Sequence, residues 1–222
     1  MLVEDLGTLN YREAWTLQER AHDAVLAGED ERILLVEHPP VITFGRRPGV
    51  DRHLLASADQ LATLGVDVVQ SDRGGDITFH GPGQIVAYPI VRLADHHFTV
   101  SGYVHALEDA IIATLGDLNL IGSKDPTAVG VWVDDGGVPA KIAAIGVRIR
   151  RGVSLHGLAL NVTTDLRYFE LIVPCGLQSR PVTSVQKLRG DRAPTIEQTK
   201  HLIIQRLIER LTRGGVRSGG AE

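Results

Sequence analysis

In part of the chain, apolar residues recur every three or four positions, which is the period of an amphipathic helix. The sequence therefore predicts helices over residues 10–27, 57–64, 99–118 and 195–213. Three of these helices open on a capping signal, in which Ser, Thr or Asn is followed three residues later by Glu or Gln. The pairs are Asn10 with Glu13, Ser57 with Gln60, and Thr195 with Gln198.

The remaining apolar runs are short and rich in branched residues, a pattern typical of β-strands. From Ala128 onward, three such runs are separated by tight turns at 134–137 and 151–152, which predicts an antiparallel meander. A short helix is predicted within residues 162–170. The other predicted strands cover residues 32–36, a short run after the prolines at 39 and 40, and residues 66–70 and 84–91.

This mixture of elements predicts an α+β (α/β) fold of mixed sheets with flanking helices. The chain shows no internal repeat and no linker, so we expect a single domain over residues 1–213. Within that domain, the part after about residue 181 is compatible with a small C-terminal subdomain. The glycine-rich tail at 214–222 is expected to be disordered.

Composition narrows the classes of function. The formal net charge of -4 gives no bulk attraction to nucleic acid or to an anionic membrane. We find no basic and apolar leader and no apolar run of membrane-spanning length, so we expect a cytoplasmic protein. Cys175 is the only cysteine, which rules out an internal disulfide and fits a reducing compartment. A monomer is the simplest expectation.

The stretch from Ser71 to Pro89 contains four glycines together with Arg73, Asp76 and His80. Glycine loses more backbone entropy on folding than any other residue, so this concentration needs a structural reason. One interpretation is an ordinary glycine-rich turn in a sheet. The other is close approach of the backbone to a bound molecule. The stretch by itself leaves both interpretations open.

Cys175 is the candidate for thiol chemistry. A single cysteine is often a buried small hydrophobe, but Pro174 and Gly176 on either side favour a bend that presents the sulfur at a loop edge. A nucleophilic thiolate needs a cationic partner or a dipole that lowers the pKa of the thiol. Lys141 is the candidate partner, because it lies among apolar residues in a predicted strand. The alternatives for Lys141 are a snorkelling edge lysine and a lysine on a solvent-facing side of the strand.

Two histidines compete with Lys141 for the role of partner. His80 and His156 each precede a glycine, and a Cys–His pair is the commoner nucleophile arrangement. The spacing of the histidines does not match a metal site, and no GxGxxG or GxxxxGK[ST] loop is present. We therefore expect no metal and no cofactor. The other histidines are interpreted as surface or structural: His22, His38, His53, His96, His97, His105 and His201.

Four motifs occur in a fixed order along the chain, namely RGGDITFHGPGQIVAYP, AKIAAIG, VSLHGLALN and PCG. Together they resemble the lipoyl(octanoyl) transferases of lipoate biosynthesis, and the resemblance covers roughly residues 30 to 190. It implies a fold related to the catalytic domains of lipoate and biotin protein ligases. It also implies transfer of an octanoyl group from octanoyl-acyl carrier protein to a lysine of a lipoyl domain. The implied acceptors are the E2 subunits of 2-oxoacid dehydrogenases and the H protein of glycine cleavage.

The resemblance also implies roles for individual residues. Cys175 would carry the acyl group as a thioester, and Lys141 would assist it. Asp76 departs from the pattern, since Gln or Lys is expected there, and this affects the details of the loop. Small residues would leave room for an eight-carbon chain, namely Ala143, Ala144, Gly146, Gly157 and Ala159. The walls of the acyl pocket would be Arg73, Gly74, Gly75, Asp76, Ile77, Thr78, Phe79, His80, Ala144, Ile145, Gly146, Gly157, Leu158 and Ala159.

Three alternative functions are compatible with these residues. An ATP-dependent lipoate or biotin protein ligase on the same scaffold would form an acyl-adenylate and need no nucleophilic thiol. A non-catalytic medium-chain acyl-binding protein would use the pocket without forming an adduct. A Cys–His hydrolase would release free octanoate.

Overall fold

The computed structural model describes residues 1–173 and 180–214, so the predicted nucleophile Cys175 lies outside the described residues. The strands are β1 (Leu2–Thr8), β2 (Arg32–Glu37), β3 (Val41–Phe44), β4 (Asp67–Gln70), β5 (Thr78–His80), β6 (Gln84–Ile90), β7 (Gly122–Asp125), β8 (Ala128–Asp134), β9 (Pro139–Arg150) and β10 (Val153–Asn161). The α-helices are α1 (Tyr11–Leu26), α2 (Ala58–Leu64), α3 (Val100–Asp117), α4 (Val185–Arg189) and α5 (Ile196–Arg213). Short 3₁₀ helices cover Val50–His53, Leu93–His96, Leu166–Leu171 and Gly190–Arg192.

A mixed seven-stranded sheet is the centre of the fold, with the strand order β1-β2-β6-β10-β9-β8-β7. The pair β1 and β2 is parallel, and each of the other neighbouring pairs is antiparallel. Strands β6 and β10 are buried at every position because helices cover both faces of the sheet. The predicted meander of β8, β9 and β10 is confirmed, as is the α+β class.

The helices divide between the two faces of this sheet. Ala14 and Val25 of α1 pack on Val86 and Tyr88 of β6, on one face. Helices α3 and α5 cover the opposite face in one continuous hydrophobic cluster that includes Leu207 of α5. Apolar residues one position apart on β6 therefore serve two different cores, as the two-residue period of a strand requires.

Three of the elements that the sequence did not predict are β1, β7 and α4. Strands β1 and β7 are the two edges of the large sheet, and their residues are exposed or half-buried. Because an edge strand buries little, its sequence carries no apolar alternation. The capping boxes at Ser57 and Thr195 are confirmed. The prediction for Asn10 is wrong, because its side chain makes no capping hydrogen bond and α1 is held by burial of Tyr11 and Ala14.

A smaller sheet with the order β4-β3-β5 lies beside the large one and positions the glycine-rich stretch. The predicted strands after the prolines and at 66–70 correspond to β3 and β4. From this sheet the chain turns back onto β9, where the Gly74 N–H donates to the Val147 carbonyl at 3.0 Å. A cavity lies between the turn and the large sheet. Among the described residues, no helix is long and apolar enough to cross a membrane.

Candidate active site

The cavity has a volume of about 530 Å³, within the range of small-molecule sites. Its walls come from the glycine-rich stretch, from β9 and β10, and from the start of β8. Every predicted wall residue except Gly74 and Phe79 lines it, and so does Lys141. The position of His156 in the wall is not predicted by the sequence motifs. The same is true of the further lining residues, which are Tyr11, Arg47, Val86, Tyr88, Thr127, Ala128 and Val129.

Gly74 and Phe79 do not line the cavity but pack behind the residues that form its wall. Phe79 stacks on Tyr168 with a ring-centroid distance of 4.7 Å, in the hydrophobic cluster of the small sheet. Gly74 packs against β9 so closely that a Cβ atom there would lie 2.9 Å from the Val147 carbonyl oxygen. A Cβ atom at Gly146 would in turn lie 2.8 Å from the Gly74 oxygen. These two glycines therefore allow main chain to pack on main chain.

Gly157 has a similar role within the large sheet, where a Cβ atom would lie 2.1 Å from the Ala87 oxygen of β6. Glycine at 146 and 157 thus reflects close backbone packing. Two residues with small side chains, Ala144 and Ala159, line the cavity and pair with each other between β9 and β10. Ala143, which was also expected to leave room for the acyl chain, instead packs in the hydrophobic core on the α3 side of the sheet.

Lys141 is buried, with 7% of its surface exposed, and lines the cavity. Its Nζ donates to the Val129 carbonyl at 2.9 Å and lies 5.0 Å from the centroid of the Trp132 ring. The interpretations of Lys141 as a snorkelling or solvent-facing lysine are therefore wrong. A carbonyl oxygen and the face of an aromatic ring are both groups that stabilise an ammonium charge away from bulk water.

Main-chain hydrogen bonds fix the residues on both sides of the segment that contains Cys175. Before the segment, the Val173 N–H donates to the His53 carbonyl at 2.7 Å. After it, Pro181 and Thr183 pair with Lys141 itself. The Lys141 N–H donates to the Pro181 carbonyl at 2.9 Å, and the Thr183 N–H donates to the Lys141 carbonyl at 2.9 Å. Pro181 and Thr183 therefore lie beside the strand that carries the predicted partner.

The two rival histidines are engaged in buried hydrogen bonds. His80 Nδ1 lies 2.7 Å from Gln84 Oε1, and Gln84 donates to Asn161 at 2.9 Å. Burial, which outweighs the hydrogen bond to Gln84, lowers the pKa of His80 well below its ordinary value. His156 Nε2 lies 2.6 Å from Asp72, and burial also lowers the pKa of this imidazole. The lowered pKa of each ring and its engagement with another side chain favour Lys141 as the cationic partner of the thiol.

Asp76 links the cavity wall to the segment that precedes Cys175. Its carboxylate accepts from the Ile77 N–H at 2.7 Å, contacts His53 Nδ1 at 2.6 Å and pairs with Arg47 at 3.2 Å. Burial alone would raise the pKa of Asp76, but these hydrogen bonds together outweigh it, and the net shift is downward. His53 is interpreted from the sequence as surface or structural, because no local motif indicates its contact with a residue 23 positions away.

We expect Asp76→Asn to destabilise the fold at neutral pH by about 1–3 kcal/mol, the usual cost of disrupting a buried, charged hydrogen-bonded group. A carboxyl with a depressed folded pKa stabilises the protein above its unfolded pKa of about 3.9, and this contribution is lost as pH falls through the folded pKa. The difference between the urea midpoints of wild type and variant should therefore narrow below about pH 4. Equal midpoints at neutral pH would contradict this role, and Asp191→Asn, at an exposed position, is the control.

Comparison with known proteins gives one consistent family. A family model described as the lipoyl protein ligase A/B catalytic domain matches residues 10–208. The chain is 49% identical over 193 residues to an octanoyltransferase of Roseiflexus sp. (strain RS-1), covering 86% of this chain and 79% of that protein. It is 45% identical over 207 residues to an octanoyltransferase of Chloroflexus aurantiacus (strain ATCC 29366 / DSM 635 / J-10-fl), covering 92% of each.

Solved structures with low sequence identity have the same fold. A bipartite lipoate protein ligase from Thermoplasma acidophilum aligns with a TM-score of 0.72 at 17% identity, covering 95% of this chain and 83% of that one. A biotin protein ligase from Aquifex aeolicus, bound to biotin and ATP, aligns with a TM-score of 0.58 at 11% identity, covering 98% and 73%. The predicted relation of the fold to lipoate and biotin protein ligases is therefore confirmed.

Proposed function

The chain belongs to the lipoyl protein ligase A/B catalytic-domain family and, within it, to the octanoyltransferases; from this membership we propose that it transfers the octanoyl group through a thioester on Cys175. The enzyme is thus an acyltransferase. The observation that carries the proposal is the position of Lys141. Its ammonium group lies in the wall of the cavity, and its main chain pairs with the residues that follow the Cys175 segment.

The first step of the proposed mechanism moves the octanoyl group onto the enzyme. The ammonium of Lys141 favours the thiolate form of Cys175. The thiolate attacks the carbonyl carbon of octanoyl-acyl carrier protein, forming a new C–S bond while the bond to the carrier sulfur breaks. The departing carrier thiolate takes a proton from Lys141, which becomes a neutral amine. One thioester replaces another, so the step is nearly isoenergetic and needs no ATP.

The second step moves the octanoyl group onto the acceptor. The neutral amine of a lipoyl-domain lysine attacks the thioester, an amide bond forms, and Cys175 leaves as a thiolate. Lys141 accepts the proton that the incoming nitrogen must lose, which restores the starting protonation of the pair. In this mechanism Lys141 acts as a cation and proton donor in the first step and as a base in the second.

The cavity supplies binding free energy for the acyl chain. Burial of apolar surface contributes about 0.8 kcal/mol per methylene, so an eight-carbon chain gains several kcal/mol. The proposed acyl subsite runs along Ala144 and Ala159 and between the glycine-rich stretch and β10. The acceptors we propose are lipoyl domains of 2-oxoacid dehydrogenase E2 subunits and the H protein of glycine cleavage, and we propose that the enzyme acts in the cytoplasm as a monomer.

The decisive experiment is to incubate the protein with octanoyl-acyl carrier protein, without ATP, and to measure the mass of the intact chain. We expect an increase equal to one octanoyl group, located on the peptide that contains Cys175. Addition of a lipoyl domain should discharge the adduct and give an octanoylated lysine. Transfer that requires ATP and shows no adduct would replace this mechanism with that of a ligase, and release of free octanoate would indicate a hydrolase.

Enlarging Ala144, which is half-buried in the cavity wall, should shorten the acyl subsite. In Ala144→Leu, the extra carbons occupy space that two or three methylenes of the substrate would otherwise fill. At about 0.8 kcal/mol each, this raises the KM for the octanoyl donor roughly 10- to 50-fold. The KM for a butanoyl or hexanoyl donor should change much less. The comparison is of steady-state kinetics for donors of different length.

Ala62→Leu, on the exposed side of α2, is the matched control for that substitution and should leave every donor unaffected. Equal losses for short and long donors in Ala144→Leu would mean that the residue does not border the acyl chain.

A further inference from the structure

One peptide unit, between Val129 and Gly130, supports Lys141 from the side of β8. The carbonyl of this peptide accepts the hydrogen bond from Lys141 Nζ at 2.9 Å. The N–H of the same peptide donates to Glu108 Oε1 at 3.1 Å. Glu108 and Lys141 therefore bind opposite ends of one rigid planar group. Whatever fixes the plane of that peptide also fixes the direction of the oxygen that faces the ammonium.

Glu108 is an unusual residue for the inner side of α3. It is 3% exposed and lies next to Leu107, a residue of the main hydrophobic core. Burying a carboxylate costs free energy unless hydrogen bonds compensate for the lost water. Both oxygens of Glu108 are engaged, Oε1 with Gly130 and Oε2 with His105 Nδ1 at 2.9 Å. Helix α3 thus places one oxygen of a buried carboxylate against the main chain of β8, while the other oxygen contacts a histidine of the same helix.

The geometry at Gly130 allows this contact. Its φ of +124° is disfavoured for residues with a side chain. A Cβ atom there would lie 2.5 Å from the Ala143 oxygen and 3.1 Å from Lys141 Cε. Only glycine lets the peptide lie this close to β9 and to the lysine side chain. The peptide therefore sits in a close-packed position, with Glu108 on one side and Lys141 on the other.

We propose that Glu108 is a positioning residue for octanoyl transfer, which holds the Val129–Gly130 peptide so that its carbonyl oxygen orients the ammonium group of Lys141. The inference rests on the proposed role of Lys141. A hydrogen bond from the peptide N–H to a carboxylate also polarises the peptide, which strengthens the bond that its carbonyl accepts. Without an acceptor at 108, the buried N–H would favour another orientation of the peptide, and the amine would move with the carbonyl.

The test compares Glu108→Ala with Glu108→Gln. Ala removes the acceptor, and we expect kcat to fall on the order of 10- to 100-fold, the effect of displacing a reactive group by a fraction of an ångström to an ångström. The KM for the octanoyl donor should stay near that of wild type, because Glu108 does not line the cavity. Gln keeps an oxygen that accepts from Gly130 and should restore most of kcat. Asp109→Ala, at the adjacent residue that pairs with Lys124, is the control and should behave as wild type.

A double-mutant cycle separates the inference from the proposed function. In a Lys141→Ala background, Glu108→Ala should cause no further loss of kcat, because its effect passes through the lysine. If Lys141→Ala were as active as wild type, the role of Lys141 in the proposed function would fail. If Lys141→Ala were impaired but Glu108→Ala kept wild-type kcat, or Glu108→Gln lost as much as Ala, the inference alone would fail. If Glu108→Ala does not fold, Glu108→Met, which fills the space but accepts no hydrogen bond, takes its place.

Discussion

Cys175→Ala should transfer no octanoyl group above background. Without the sulfur, no thioester can form, and removal of a nucleophile from a covalent enzyme costs roughly 10⁵–10⁶-fold in kcat. Cys175→Ser should also be inactive, because a serine hydroxyl stays protonated at neutral pH and Lys141 does not bring it near ionisation. The measurement is octanoylation of a lipoyl domain, together with the mass of the intact enzyme after incubation with octanoyl-acyl carrier protein.

Binding provides the control for these two variants. The cavity that we propose for the acyl chain is lined by residues of the glycine-rich stretch, β9 and β10, so octanoate or a non-transferable octanoyl analogue should bind to Cys175→Ala. Transfer by the variant in the presence of ATP would mean that an acyl-adenylate carries the reaction, as expected of a ligase. A variant that neither binds nor transfers would indicate loss of the fold, which urea unfolding would reveal.

Most of the fold can be predicted from the sequence, because its main helices and strands bury one or both faces and therefore carry a clear apolar pattern. The apolar run at residues 84–91 predicted a strand, and that strand is buried at every position in β6. The capping pair at Ser57 and Gln60 marked the start of α2 to within one residue. The exposed edges β1 and β7 were missed for the same physical reason, since a strand that buries little needs no apolar pattern.

The site was accessible only in part. The motifs indicated the walls and Lys141, because glycines and an isolated lysine are visible in the sequence. The supporting contacts were not visible, because they join segments far apart in the chain. In the sequence, Glu108 looks like an ordinary polar residue of a helix. In the structure, its carboxylate accepts a hydrogen bond from the N–H of Gly130, 22 residues later. His53 accepts the Val173 N–H and contacts Asp76, and neither partner is implied by local spacing.

These supporting contacts share one feature. They hold main chain through two buried carboxylates, Asp76 near the start of the Cys175 segment and Glu108 near Lys141. Neither carboxylate is paired with the amine that we propose to be catalytic. Within the described residues, the Lys141 ammonium instead contacts the Val129 carbonyl and the face of the Trp132 ring, and we propose that it also acts on the thiolate of Cys175.

Lys141→Ala should reduce octanoyl transfer by about 10²–10⁴-fold, the usual contribution of a positioned proton donor and acceptor. The first reason is electrostatic, because loss of the buried ammonium removes the cation that we propose favours the thiolate of Cys175. The second is proton transfer, because the variant lacks the amine that we propose protonates the carrier thiolate and deprotonates the incoming lysine. Both steps should therefore slow, and single-turnover measurements of adduct formation and of adduct discharge can record them separately.

The electrostatic part can be tested without any substrate. Iodoacetamide alkylates the thiolate form of cysteine, so at neutral pH Cys175 of Lys141→Ala should react more slowly than in wild type. Lys124→Ala removes an equal charge that pairs with Asp109 on the surface, and it should leave the rate of alkylation unchanged. Alkylation of Lys141→Ala at the wild-type rate would show that the amine does not act on the sulfur. If adduct formation were slow all the same, Lys141 would act only through proton transfer.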